Sequence, residues 1–309
     1  MNINQKKKFA AGLSITSNVI LTVLKIAAGI LSGSLSIISE AIHSLSDFLA
    51  SILTFFSVVK SSEPADKDHP YGHGKYEDLA GFIEGILIVF AAFFIVYESI
   101  KKITLHAPIE TQNTIGICVM ALAVISNIIV STILFKVSRE SNSISLYADG
   151  EHLRTDVYSS LGVLGGLILI QTTHLTILDP IIAILVAFLI YKAGVKLSKR
   201  ALMRLLDYSL PEDDIKEIKK IIESYKNIAT LKKDSIKARQ TGPNKDIDLI
   251  LQFPCKTSIC DCHKICDEIE KKILELYSNC SISIHFEPVC YENDCQNCSK
   301  ESYKQVSKI

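Results

Sequence analysis

SLSIISEAIHSLSDFLASILTFFSVV, residues 34–59, is an apolar run long enough to cross a bilayer as a helix, yet it carries His43 and Asp47 within it. About 20 apolar residues span the hydrocarbon core, and an ionisable side chain at that depth costs about 3 kcal/mol on insertion scales unless a partner or a function keeps it there. The same pair returns in YADGEHLRTDVYSSLGV, residues 147–163, as His152 and Asp156. Both are HxxxD, and the i, i+4 spacing stacks imidazole and carboxylate on one helix face, with about 5–6 Å between Cβ atoms. If the two faces meet, two nitrogens and two oxygens converge, which is the ligand number and type of a tetrahedral zinc site. Two carboxylates neutralise a divalent cation, so the loaded site is tolerable in low dielectric and the empty one should take up protons. The competing reading is a hydrogen bond inside each helix. Repetition of so costly a pair in two spans weighs against it.

Outward from these two runs, four more approach or exceed the spanning length: residues 9–31, 79–100, 115–135 and 175–192, with the fifth extending over 145–171. They account for a mean hydropathy of +0.29 in a chain of 309 residues that is 48% hydrophobic. The 33 basic and 33 acidic side chains cancel, which removes a global electrostatic case for nucleic acid, and 8 Pro with 14 Gly exclude collagen-like or low-complexity chains. Six crossings put both termini on one side. That side holds Lys6, Lys7, Lys8, Lys60, Lys67, Lys75, Lys136, Arg139, Lys192, Lys196, Lys199, Arg200 and Arg204, against chiefly Lys101 and Lys102 opposite, so the positive-inside rule places both termini in the cytoplasm. The first run lacks a clear cleavage site and is read as a span, not a signal peptide. Among other polar residues of the spans, Asn18 and Asp179 can line an access path, hydrogen-bond between helices or cap one. Glu40 shares nearly the same face as His43, and the serines of this region allow close helix packing.

Near Asp207 the apolar runs give way to charge alternating with short hydrophobic segments, which divides the chain into a membrane domain at 1–208, a domain at 209–289 and a Cys-containing tail at 290–309. Residues 211–225 read as a helix entered through Pro211. Strands follow at 228–239 and 247–253, separated by TGPNKD, then a helix at 259–277 and a strand at 281–287, in the order αββαβ. Eight of the nine cysteines fall in this part, on a reducing side where disulfides are disfavoured. Cys260, Cys262 and His263, and the Cys295–Cys298 CxxC, have the density of soft-metal ligands or are reduced thiols. Cys118 reads as a packing residue. The loop at 61–79 gathers Asp66, Asp68, His69 and His73 among Gly and Pro, either as a cytoplasmic metal stop or as turn hydrogen bonds.

Four segments together resemble the cation diffusion facilitators, a family of divalent-metal/proton antiporters: GSLSIISEAIHSLSDFLAS, PADKDHPYGHGKYE, YADGEHLRTDVYSSLGV and LMRLLDYSLPED. The resemblance covers nearly the whole chain. It implies an α-helical membrane protein of six transmembrane helices, a C-terminal cytoplasmic α+β domain of ferredoxin-like topology, and a homodimer. By position it assigns His43, Asp47, His152 and Asp156 to the transport site, Asp66, His69 and His73 to a loop site, and Lys75 with Asp207 to a charge interlock between helices. His263, His285 and Glu287 fall where some members ligate zinc in the cytoplasmic domain. Two further ligand positions of those members carry Asp234 and Ile250 here; isoleucine cannot ligate, so a reduced site of Asp234, His263, His285 and Glu287 is expected in place of a binuclear one.

The expectation is therefore a Zn2+/H+ antiporter of the plasma (inner) membrane, working by alternating access, with Zn2+ as substrate and as a structural or regulatory ligand. It needs no catalytic cofactor, and divalent metal ions, protons, the lipid bilayer and a second copy are its partners. Histidine at the first ligand position favours zinc over harder ions. Fe2+, Cd2+, Co2+, Ni2+ or Mn2+ as main cargo, or a membrane metal sensor without transport, are the alternatives. No HExxH, nucleophile elbow or phosphate-cradling loop supports an enzyme.

Overall fold

In the computed structural model of the chain, the described residues are 2–32, 35–105, 114–173, 178–277 and 279–289; within the helices, the side chains of 29–43, 45–46, 102, 105, 114–117, 120, 159–160, 162–180 and 182 are also outside the description. The residues fall into two compact units, Met1–Leu206 and Asp207–Ile309. The 290–309 tail, with its CxxC, lies outside the described residues, as do the side chains of His43, Glu40 and Asp179.

The described residues of the first unit form the long helices α1 (Ile3–Ser32), α2 (Leu35–Ser61), α3 (Lys75–Leu105), α4 (Thr114–Ser141), α5 (Ile144–Thr173) and α6 (Leu178–Leu205). Among the described residues, Ile3–Ala28, Lys75–Lys101 and Ala121–Ser141 are long and apolar enough to cross a membrane. Pro64 follows α2, and the residue before a proline is disfavoured in helix. Between α4 and α5, Asn142 takes a φ of 52°, a left-handed stop that asparagine tolerates, while Ser138 Oγ donates to the Ser143 carbonyl at 2.8 Å.

Two apolar seams flank α5. Ala10, Val58, Val130, Leu134, Leu146 and Leu153 join it to α1, α2 and α4, and Ile88, Ala92, Ile144, Ala148, Ile190 and Leu197 join it to α3 and α6. The α3–α6 contact is close because its residues are small: a Cβ on Gly85 would lie 2.4 Å from Ser198 Oγ, and one on Gly194 would lie 2.9 Å from Val89. Large apolar side chains such as Phe90, Phe93, Phe94 and Tyr97 point outward from α3, as a lipid-facing surface requires.

In the second unit, α7 (Glu212–Glu223) and α8 (Ile259–Leu276) accompany the strands β1 (Thr230–Leu231), β2 (Lys237–Thr241), β3 (Asn244–Pro254) and β4 (Cys280–Val289). Alternation buries Ile247, Leu249, Leu251 and Phe253 of β3 against Ile218 and Ile222 of α7 and Cys262, Cys266, Ile269 and Ile273 of α8. β3 is central: β1 and β2 pair with it antiparallel on one side and β4 parallel on the other. The sequence predicts one strand over 228–239, and the structure breaks it. Lys232 N reaches the Ile250 carbonyl at 3.0 Å, Asp234 turns to a φ of 55°, and Ser235 Oγ donates to that same carbonyl at 3.2 Å while accepting from Ile250 N at 3.4 Å. A serine hydroxyl thus stands in for a backbone rung at the break, leaving the helix–strand order otherwise αββαβ.

Candidate metal centre

α2 and α5 face each other at the level of the two HxxxD pairs. His152 Nε2 lies 3.0 Å from Asp47 Oδ1, and the two residues are each 7% exposed. One ligand atom from each of Asp47, His152 and Asp156 lies within 4.8 Å of the others. Asp156 is one turn beyond His152 on the same face of α5. The polar contact therefore runs between the helices, joining the histidine of one pair to the aspartate of the other. Arg154 is turned from this face and stacks over the Phe135 ring at 4.6 Å, so its charge does not fill the site. Among the described residues His152 Nδ1 is buried without a hydrogen-bond partner.

α1 buttresses α2 from behind. Asn18 Nδ2 donates to Ser51 Oγ at 2.5 Å and to the Asp47 carbonyl at 3.5 Å, Thr22 Oγ1 donates to the Ser44 carbonyl at 3.2 Å, and Lys25 Nζ to Ser44 Oγ at 2.6 Å. Asn18 thus bonds between helices, and Ser44 and Ser51 do more than permit close packing.

Below the centre, toward the 62–74 loop, lies a polar column that the sequence reading did not single out. Asp149 is three residues before His152 on α5, and its Oδ1 accepts from Ser51 Oγ at 3.5 Å. Thr54, on the same face of α2 as Ser51, donates through Oγ1 to Glu84 Oε1 of α3. Glu84 and Asp149 are both fully buried. The column ends at Glu77, whose carboxylate receives Lys7 Nζ and Ser143 Oγ, and Ser61 Oγ at 2.5 Å. Nearby, Arg204 lies 3.7 Å from Asp78. The cost of burying an ionisable group, applied to every charged residue inside a span and not only to repeated pairs, would have flagged Glu84.

The loop holds the second group of candidate ligands. Asp66, His69 and His73 offer atoms within 4.8 Å of one another: His69 Nδ1 is 3.3 Å from Asp66 Oδ1, and His73 Nε2 is 3.3 Å from Asp66 Oδ2. Asp66 Oδ1 also accepts from the backbone N–H groups of His69, at 2.6 Å, and Asp68, at 3.0 Å. Donation by the His69 N–H holds the Asp66 carboxyl below its ordinary range, helped by the His69 and His73 side chains. Gly72, at a φ of 82°, turns the chain so that the His69 and His73 rings stand 4.4 Å apart. His73 is buried, His69 half-buried and Asp66 exposed. The turn hydrogen bonds and the ligand cluster coexist, on the same carboxylate.

In the second unit the four expected ligands are spread out. Asp234 is exposed at the strand break, His263 is exposed on α8 at 3.6 Å from Asp267, His285 is exposed on β4 opposite Ile250, and Glu287 holds Lys232 Nζ at 2.9 and 3.0 Å. Among the described residues of one chain they form no group of metal ligands. Cys262 and Cys266 belong to the core, and Cys260 is exposed, so the Cys260–Cys262–His263 stretch does not present its donors together. Asp207 pairs with Arg239 at 3.1 Å.

Residues 12–206 match the family model of the cation efflux transmembrane domain, and residues 210–289 that of the cation efflux protein cytoplasmic domain. The chain is 31% identical over 279 residues to an uncharacterized transporter of Synechocystis sp., with 90% of this chain and 89% of that protein covered. It is 28% identical over 289 residues to the cation-efflux pump FieF of Shewanella oneidensis, covering 94% and 96%, and 32% identical over 253 residues to an uncharacterized transporter of Methanocaldococcus jannaschii, covering 82% and 88%. With its transmembrane and cytoplasmic parts matched in that order, the chain belongs to the cation efflux, or cation diffusion facilitator, family of membrane transporters.

Proposed function

We propose that the chain exports Zn2+ in exchange for protons through the centre between α2 and α5, with Asp47, His152 and Asp156 as ligands and His43 as the fourth. The observation that carries this reading is the contact of His152 Nε2 with Asp47 Oδ1 across the two helices, with the Asp156 carboxylate beside it. In the metal-free centre a proton bridges nitrogen and oxygen where a cation would otherwise sit. A divalent ion entering the centre displaces that proton, and protons arriving from the far side displace the ion. Carboxylates and neutral imidazoles without thiolates hold zinc firmly enough to select it and loosely enough to release it. The Asp66–His69–His73 loop serves as a metal stop at the cytoplasmic end. A homodimer with ferredoxin-like cytoplasmic domains, termini in the cytoplasm, residence in the inner membrane and a Lys75–Asp207 interlock complete the proposal. The cytoplasmic domain takes zinc through His285 or His263 only by drawing ligands from elsewhere or by releasing Glu287 from Lys232.

In proteoliposomes, Asp47→Ala and Asp156→Ala are each expected to abolish Zn2+ flux driven by a pH gradient while the proteins elute as the native chain does. Undiminished flux would remove these residues from the transport site. Competition by Fe2+, Cd2+, Co2+, Ni2+ and Mn2+ in the same vesicles tests the cargo, with zinc expected to be carried preferentially.

A further inference from the structure

The buried charges of the transmembrane unit differ in how they are compensated. Glu77 meets Lys7 and three serine hydroxyls, those of Ser61, Ser143 and Ser145. Among the described residues Glu84 and Asp149 bond only to hydroxyls, Thr54 on Glu84 Oε1 and Ser51 and Ser14 on Asp149, and the His152 imidazole is the basic group near both. Ser51 in turn lies 3.3 Å from Ser14 Oγ. Both carboxylates are 0% exposed, and among the described residues Glu84 Oε2 and Asp149 Oδ2 each accept no hydrogen bond. Two carboxyl groups brought onto one face of α2 in a low-dielectric bundle, each with an oxygen left over, need their charge neutralised, by protons or by a metal cation.

Position indicates which charge. Asp149 is three residues from His152 along α5, about 4.5 Å of helix rise, and Thr54 is seven residues from Asp47 along α2, about 10 Å. The pair therefore sits on the loop side of the centre, before the Lys7–Glu77 closure. A dehydrated divalent ion travelling that way needs oxygen ligands at this depth, and carboxylates with serine and threonine hydroxyls supply them. An all-oxygen set binds zinc more weakly than the mixed nitrogen–oxygen centre above it, so an ion halting here is passed on and not trapped.

We infer that Glu84 and Asp149, with the hydroxyls of Ser51 and Thr54, form a further, weaker divalent-cation site, distinct from the loop cluster, through which the cargo reaches the Asp47–His152–Asp156 centre. This rests on the transport reading above, and its test is built to fail separately from it. Zn2+ alone is titrated calorimetrically into the full-length detergent-solubilised chain, and Zn2+ flux is measured in proteoliposomes, for the native protein, Glu84→Gln, Asp149→Asn and Glu84→Asp. The amides preserve shape and remove charge. Each is expected to keep the tight binding phase, lose a weaker phase of one ion per chain, and lower maximal flux at least tenfold; Glu84→Asp should retain the weak phase with reduced affinity. Native binding and flux in both amide variants overturns the inference and leaves the transport reading intact. Loss of the tight phase as well makes the residues structural. A fall in flux with both phases intact assigns the pair to proton or helix movement, and loss of the weak phase without a fall in flux puts the site off the path; each of these three outcomes also overturns it. Absence of Zn2+ flux in the native chain overturns the transport reading, and the binding titration still decides whether the site exists.

Discussion

Lys7 and Glu77 form a buried ion pair, 2% and 0% exposed, that joins the start of α1 to the start of α3. Removing one partner of such a pair strands a charge, at a cost of about 3–5 kcal/mol, whereas replacing both with apolar groups costs far less. Lys7→Met is therefore expected to lower the thermal unfolding midpoint sharply, and Lys7→Met/Glu77→Leu to recover part of the loss, in denaturation scans of the detergent-solubilised chain. A lower midpoint for the double variant than for Lys7→Met would show that the serines around Glu77, not Lys7, dominate its stabilisation. In the sequence Lys7 reads only as an orienting charge, because nothing local says that its long side chain turns inward. Asp47, His152 and Asp156 were legible for the opposite reason: a repeated, costly pattern at helical spacing announces a shared face. What the spacing could not say is that His152 meets Asp47 from the other helix, because inter-helix register is set by packing of distant seams. Glu84 belongs to no repeated pair, and its partner Thr54 lies on another helix.

Helix contacts make a second kind of demand. At Gly85 an added Cβ would lie 2.4 Å from Ser198 Oγ and 2.8 Å from the Ser198 backbone nitrogen, so Gly85→Ala must push α3 from α6 or displace the backbone. Overpacking of this kind costs about 1–3 kcal/mol, and the expected result is a lower unfolding midpoint. Gly72 contrasts with it. Nothing lies within 4 Å of an added Cβ there, but its φ of 82° strains any L side chain, by about 1 kcal/mol or slightly more. Gly72→Ala should leave global stability near native and instead weaken Zn2+ binding by the loop, read calorimetrically against His73→Ala. The apolar periodicity that gave the helices contains no record of which glycines touch a neighbour. In the cytoplasmic domain, alternation over 247–253 foretold the buried face of β3, while the break between β1 and β2 was hidden because Ser235 replaces a backbone rung through its side chain.

At the scale of the molecule, the zero net charge is a sum over two different solvents. The transmembrane unit relies on seams of apolar contact around a polar column, while the cytoplasmic unit has its own core of Ile218, Ile222, Leu249, Leu251, Ile269 and their neighbours, all within residues 207–289. A unit with a contiguous core and a sheet centred on β3 should fold when produced alone. Residues 207–289 are accordingly expected to be soluble and to unfold in one cooperative transition. Its buried thiols, together with Tyr277, contribute to its pH dependence at the alkaline end. Burial pushes Cys266, with Cys262 adding to it, and Cys280 up from the ordinary 9.0 to about 11. Below pH 9 these thiols are protonated in both folded and unfolded chains and add no slope. Above it the unfolded chain ionises first, so stability should fall as pH rises from about 9 to about 11. The double variant Cys266→Ala/Cys280→Ala is expected to be less stable at pH 7 from lost packing, yet flatter over that interval. Denaturant unfolding of both fragments at several pH values makes the comparison, and equal slopes would mean that the buried thiols are not what makes alkaline conditions unfavourable.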